Sequence, residues 1–324
     1  MPRRPRLLDR LEDRRRIDPA AEIDAVAAVT ERLAVLLAAG VPAPGAWSNV
    51  GADGASGADA EVLEFAASAA RRGDPVAPAI ADSLPERPTA SAAWPVLAAA
   101  WAVAAESGAP LAGSLRELAA VLRDEAQLRR EVRAALAGPA ASARLVMALP
   151  VIAVLFGATL GFDTIGVLFG NPLGLACLAL GLVCLWGGRR WNRALAARAG
   201  RSRVDAGLEL ELLAIAMSSG VSIDRARTLT RDSIVRFVPH AGDGAEIDAV
   251  LGLAARAGAP VAELLRAEAF RLRRASRSAG TERAAALGVR LMLPLGLCVL
   301  PAFVLLGVAP LMISVVTGTL GGAR

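Results

Sequence analysis

The sequence predicts an all-α, polytopic membrane protein with two repeated cytoplasmic helical-bundle domains and three transmembrane helices. Of its 324 residues 55% are hydrophobic, 4% are aromatic and none is tyrosine, and the strong helix formers Ala, Leu, Arg and Glu dominate. A mean hydropathy of +0.47 is high for a soluble protein and low for one that lies wholly in lipid. Three long apolar runs and one repeated segment complete the prediction.

The first cytoplasmic domain is predicted over residues 23–143, after a basic N-terminal segment at 1–22. Apolar residues recur at helical spacing over Ile23–Ala39, and Gly40 ends that helix. The polar, glycine-rich stretch Gly51–Gly57 is typical of a loop. Proline and glycine separate the further predicted helices, which are 59–72, 76–84, 91–106 and 111–137.

Three apolar runs are candidates for membrane spans, since about 20 apolar residues cross a bilayer. They are Leu145–Phe162, Pro172–Trp186 and Leu291–Val316. The first two fall in the predicted region 144–188, joined by a short external connector. The third occupies 290–318, its three prolines permit a kink, and 319–324 follows as an external tail.

Arginine placement predicts the orientation, because basic residues stay on the cytoplasmic side of membrane spans. Arginines crowd the N-terminal segment, the approach to the first run and the residues after the second, whereas the connector 163–171 has none. The N-terminus is therefore expected in the cytoplasm and the C-terminus outside. Four arginines are assigned to the membrane interface: Arg144, Arg189, Arg190 and Arg290.

The second cytoplasmic domain is predicted over 189–289. Its helices are expected at 204–219, after Val221, at 246–257 and at 261–278.

Two segments of the chain repeat one pattern. Gly108–Arg123 reads GAPLAGSLRELAAVLR and Gly258–Arg273 reads GAPVAELLRAEAFRLR, with nine identical positions of sixteen. Upstream, LAVLLAAGV at 33–41 parallels LAIAMSSGV at 213–221. We interpret the chain as a duplicated unit of helical domain plus membrane anchor. The second copy is shorter, because 68 residues separate Gly40 from Gly108 and 38 separate Gly220 from Gly258.

The repeat supplies the candidate functional residues. Its glycines are expected to stop helices and set the angles of the bundle; the turn positions are Gly40, Val41, Gly108, Pro110, Gly220, Val221, Gly258 and Pro260. The arginines of the repeated helices are the candidate partner contacts, namely Arg116, Arg123, Arg266 and Arg273.

The residues needed for catalysis are scarce. The single histidine, His240, lies in a loop, and the chain has no lysine for a phosphate-binding loop. Asp243, in a Gly-Asp-Gly loop, and Asp163 are poorly placed for a membrane aspartic protease. The apolar runs carry no ionisable residue for transport. We expect no enzyme activity, no cofactor, no metal and no nucleic-acid partner.

In this order, these motifs resemble the F family of type II secretion and type IV pilus platform proteins, which includes GspF, PilC, TadB and TadC. The residues that carry the resemblance lie within 26–316: Ala39-Gly40-Val41-Pro42, Ser219-Gly220-Val221, Glu106-Ser107-Gly108, and the final span from Leu291-Met292-Leu293-Pro294 to Ala309-Pro310-Leu311. The second of these turns and the short second domain depart from the family pattern.

The resemblance implies an inner-membrane, multi-pass platform without enzymatic activity. Its expected partners are a hexameric cytoplasmic ATPase, pilin or pseudopilin subunits, a paralogous platform protein, membrane lipid and further copies in an oligomer. The alternative is a membrane anchor or regulatory scaffold unrelated to filament export.

Overall fold

A computed structural model gives the architecture of the chain. It describes residues 18–51, 57–159, 172–199, 207–239, 245–290 and 295–310, together with 166, 169–170, 293 and 312–313. Every regular element in these residues is helical, as the composition predicts.

The first part of the chain forms six helices. They are α1 (Pro19–Ala38), α2 (Ala43–Gly51), α3 (Ala58–Arg72), α4 (Val76–Ser83), α5 (Trp94–Ser107) and α6 (Leu111–Thr159). Asp18 caps α1 by accepting a hydrogen bond from the Ala20 amide at 2.9 Å. Helix α2 was not predicted from the sequence; its Pro44 stands in the first turn, where proline is well tolerated.

The next five helices lie in the later part of the chain. They are α7 (Pro172–Ala199), α8 (Leu208–Met217), α9 (Ile223–Phe237), α10 (Ala245–Ala257) and α11 (Val261–Arg290). Ser222 caps α9 through the Arg225 amide at 3.3 Å. Both α6 and α11 continue beyond their predicted ends, and α6 passes through Gly138 and Pro139 without a break in its assignment.

The chain divides into two compact units. The first combines Met1–Arg130 with Arg203–Ser278, and the second combines Glu131–Ser202 with Ala279–Arg324. The core of the first unit therefore takes residues from both of the predicted cytoplasmic domains.

Helix α5 is the centre of the first unit. Ten of its residues, from Trp94 to Ala104, are buried on all sides. It packs against α4 from the first part of the chain and against α8 and α9 from the second. At its start, Asp59 accepts hydrogen bonds from the Ser91 amide at 2.8 Å and from the Trp94 indole at 2.7 Å, which fixes α3 against α5.

The second unit contains the candidate membrane span. Among the described residues one helical stretch, Pro172–Asn192, is long and apolar enough to cross a bilayer, with a mean hydropathy of 1.5 and 17% of its span buried. Such exposure of apolar side chains suits contact with lipid. The sequence predicts three spans, and the structure does not show the first and the third of them. Leu145–Phe162 and Leu291–Val316 both extend into residues outside the described ranges, and the part of the latter over Gly296–Val308 forms a shorter apolar helix.

The segment Leu295–Val308 packs against α7 within this unit. It contains π-helical turns at Leu295–Val299 and Val304–Val308, on both sides of Pro301. The two helices approach closely at Gly181, where an added Cβ would lie 2.5 Å from Leu306 Cγ. Small residues permit this kind of packing between membrane helices.

Candidate partner-contact site

The four predicted turn glycines share one backbone conformation. Gly40, Gly108, Gly220 and Gly258 have φ values of 84°, 74°, 83° and 63°, in the left-handed region that favours glycine. After α1, the amide of Gly40 bonds the Leu37 carbonyl at 3.1 Å, and the amide of Val41 bonds the Leu36 carbonyl at 3.0 Å. These two bonds form a Schellman motif.

The two Gly-Ala-Pro turns have matching hydrogen bonds. The Ala109 amide bonds the Ala104 carbonyl at 3.0 Å, and the Ala259 amide bonds the Ala254 carbonyl at 3.2 Å. The carbonyl of each following proline, Pro110 or Pro260, then accepts the first bond of the next helix, at 3.1 Å in α6 and 3.3 Å in α11. The hydrogen-bond pattern is therefore the same at the two Gly-Ala-Pro turns.

Two ion pairs occupy equivalent places in the two repeated patterns. Glu31 and Glu211 each stand two residues before the matched Leu-rich segments, and Arg123 and Arg273 each end the matched sixteen-residue segments. Arg123 forms a bidentate pair with Glu31. Arg273 Nη1 donates to Glu211 Oε2 at 3.0 Å. Each pair ties the helix after a Gly-Ala-Pro turn to the opening helix of its own copy.

The two pairs differ in burial. The side chains of Arg123 and Glu31 are 45% and 41% exposed, whereas those of Arg273 and Glu211 are 22% and 4% exposed. An exposed pair contributes little to stability, and a buried pair is costly to break.

Arg266 links the two repeated helices to each other. Its Nε donates to Glu117 Oε2 of α6 at 3.0 Å, and its Nη1 donates to Glu263 Oε1 of α11 at 3.3 Å. We call Glu117, Glu263 and Arg266 the charged seam. Burial raises the pKa of the Glu117 carboxyl, and the nearby Glu211 and Glu263 carboxylates add to the rise against the lowering effect of Arg266.

Arg116 differs from the other three candidate arginines. It is exposed on α6 and has no hydrogen-bond or ion-pair partner within the described ranges. Arg123, Arg266 and Arg273 are already engaged inside the first unit. The sequence marked all four alike, since it shows charge and spacing but not the neighbour of each side chain. For Arg123 and Arg273 the sequence did hold a signal, because their partners Glu31 and Glu211 occupy equivalent positions relative to the repeat.

The predicted interface arginines lie near the apolar helices. Arg189 and Arg190 are exposed at the end of the candidate span, and the Arg190 guanidinium lies 5.8 Å from the centre of the Trp186 ring. Arg290 is exposed at the last residue of α11. Arg144 lies within α6, and its side chain is outside what the structure describes.

The part of the chain that the structure describes holds no group of three metal-ligating side chains. Asp163, His240 and Asp243 lie outside the described residues.

Comparison with known proteins shows which family the first part of the chain is similar to. Residues 29–158 match the family described as type II secretion system (T2SS), protein F. No curated protein matches the chain. The matched range runs from the middle of α1 to the end of α6, and it includes the first pair of turn glycines together with Arg116, Glu117 and Arg123.

Proposed function

We propose, on the premise that residues 29–158 are a type II secretion system protein F domain, that this chain is the platform of a machine that assembles filaments. A domain of this family supports, in general terms, a membrane protein of secretion or pilus machinery. The family is located in the inner membrane, and its members are typically platforms without enzymatic activity.

The proposed role is mechanical coupling. Cytoplasmic helical bundles would engage a hexameric ATPase, and the membrane part would meet pilin or pseudopilin subunits as they leave the bilayer, in a Tad/Flp-like pilus or a secretion system. The family match carries this proposal. A paralogous platform protein and further copies of this chain are proposed as partners, and no cofactor is required.

Arg116 is the side chain that we propose meets the ATPase. It is exposed and free of partners among the described residues, and the next residue, Glu117, belongs to the charged seam. An exposed cation at an interface steers association and specifies the partner with little effect on the fold that carries it. Arg266 is unsuitable for a charge-reversal test, because a carboxylate there would face Glu117 and Glu263.

The experiment is co-purification of the tagged chain from its native host in mild detergent, with Arg116→Glu and Arg71→Glu compared in parallel. Arg71 is an exposed arginine near the end of α3 in the same family domain, so its variant controls for the change in charge. We expect the wild type and Arg71→Glu to recover a secretion ATPase and Arg116→Glu to lose most of it.

Equal recovery with Arg116→Glu would move the motor contact elsewhere. If the wild-type oligomer is preserved but brings down neither ATPase nor pilin, the scaffold alternative replaces the platform role.

We also propose the multi-pass topology, with three spans, a cytoplasmic N-terminus and an external C-terminus. The arginines at 189 and 190, beside the exposed Trp186, support a cytoplasmic end for the candidate span, because basic and aromatic residues mark membrane interfaces. Reporter fusions at the two termini test it, and activity of both reporters on the same side would contradict it.

A further inference from the structure

Helix α7 has two opposite faces within the second unit. One face carries three buried glycines spaced seven residues apart, Gly174, Gly181 and Gly188. This face packs on protein, since Gly181 lies against Leu306 of the segment that contacts α7. The opposite face carries apolar side chains that are half or more exposed, namely Leu175, Leu182, Val183 and Trp186. If the helix crosses a bilayer, this exposed face is the one that meets lipid.

The exposed face ends in two arginines. Arg189 and Arg190 stand three and four residues after Trp186, so they share its side of the helix. Both are exposed, and neither has an ion pair with a described residue. The sequence over 164–204 contains six arginines and no acidic residue. The positive charge at this end of α7 is therefore not balanced by its neighbours in sequence.

Trp186 holds one of the two guanidinium groups in place. The guanidinium carbon of Arg190 lies 5.8 Å from the centre of the Trp186 ring, within the range of a cation–aromatic contact. Such a contact occupies the flat face of the guanidinium and leaves the N–H groups at its edge, where a phosphate can accept two hydrogen bonds. Because Arg190 is exposed, these donors are open to a ligand.

The apolar surface beside the arginines selects among anions. Inorganic phosphate would use the two arginines and leave Leu182 and Val183 without a partner. A phospholipid with a net negative headgroup matches both parts, because its phosphate meets the basic end and its acyl chain meets the apolar side chains. A zwitterionic phospholipid brings its own cation, which competes with the arginines for the phosphate.

We propose that this end of α7 binds one anionic phospholipid. The phosphate accepts hydrogen bonds from Arg190, Arg189 adds a second positive charge beside it, and an acyl chain lies along Leu182 and Val183. The proposal rests on the proposed membrane span and is independent of the proposed ATPase contact.

The test is native mass spectrometry of the full-length protein in mild detergent, titrated with dioleoyl phosphatidylglycerol or with dioleoyl phosphatidylcholine. The dissociation constant of the first bound lipid is measured for each variant. Arg190→Gln removes the donors at an exposed residue, and Arg190→Lys keeps the charge without the planar group. Arg290→Gln is the matched control for a general loss of positive charge, since Arg290 is an exposed arginine at the end of α11 in the same unit.

We expect the wild type and Arg290→Gln to bind phosphatidylglycerol equally, and about tenfold more tightly than phosphatidylcholine. Arg190→Gln should weaken phosphatidylglycerol binding about tenfold, the scale of one hydrogen bond to a charged group. Arg190→Lys should recover only part of the loss, because an ammonium group does not stack or bind a phosphate in the same planar way.

Three results would overturn the proposal. The first is that the two lipids bind the wild type equally or not at all. The second is that Arg290→Gln weakens binding as much as Arg190→Gln, which would indicate a general attraction to positive charge. The third is displacement of the bound lipid by excess inorganic phosphate, which would indicate a site for a soluble anion. Because the measurement contains no ATPase, its failure leaves the proposed platform role standing.

Discussion

Replacement of Arg273 by Gln leaves the Glu211 carboxylate without its partner at a position where its side chain is 4% exposed. Loss of one member of a buried pair costs about 3–5 kcal/mol. We expect a value near the lower end, about 3 kcal/mol, because the Arg273 side chain is itself 22% exposed and water reaches that end of the site. A loss of this size lowers the folding equilibrium constant roughly a hundredfold.

Arg123→Gln is the matched control, since Arg123 and Glu31 hold the equivalent place in the first copy with 45% and 41% exposure. Removal of an exposed pair costs about 0.2–1 kcal/mol. The free energy of unfolding of the full chain is measured by denaturant titration in mild detergent. The fluorescence of Trp47, Trp94 and Trp101, which lie in the first unit and have low exposure, reports its unfolding.

The double variant Glu211→Leu/Arg273→Leu separates loss of a pair from loss of packing. An apolar pair of similar size is often as stable as a buried ion pair, so we expect the double variant to recover most of the loss. The reasoning is refuted if Arg273→Gln and Arg123→Gln cost the same, or if the double variant is no more stable than Arg273→Gln.

Three further predictions concern the fold. Gly181→Ala should lower stability in detergent by about 1–3 kcal/mol because its Cβ enters occupied space, whereas Gly187→Ala on the same helix, with no neighbour within 4 Å, should leave stability unchanged. Gly40→Ala should cost about 1–2 kcal/mol, since φ is 84° there although the space is open; a neutral result in the same titration would contradict a conformational cause. Burial raises the pKa of Glu117 in the folded protein above its ordinary 4.5, so the carboxyl of the unfolded chain loses its proton at a lower pH than that of the folded chain. The wild type should therefore lose stability relative to Glu117→Gln as pH rises from about 4.5 to the raised pKa. A stability difference that is independent of pH would refute this.

Local structure followed closely from the sequence. The periodicity and punctuation gave the helices at 58–72, 76–83 and 245–257 to within a residue or so at each end, and all four glycines of the repeat have φ values in the left-handed region. These features depend on residues near in sequence, so a pattern is enough to find them.

The contacts between elements that are distant in sequence could not be predicted in the same way. Hydrophobic patterning indicates that α5 is buried but not that α8 and α9 cover it, because any apolar helix face would satisfy the same pattern. The charge pattern likewise marked Arg116 and Arg273 equally, although one is free among the described residues and the other is held by Glu211.

The central position of α5 has a consequence for biogenesis. Its covering helices α8 and α9 are encoded more than a hundred residues later, after the candidate span at Pro172–Asn192. During synthesis the apolar surface of α5 therefore stays partly uncovered until α8 and α9 have been made. Domains normally complete their core as they emerge from the ribosome, and surfaces left open attract misassembly. In this chain, the core of the first unit is therefore complete only after the candidate span has been synthesised.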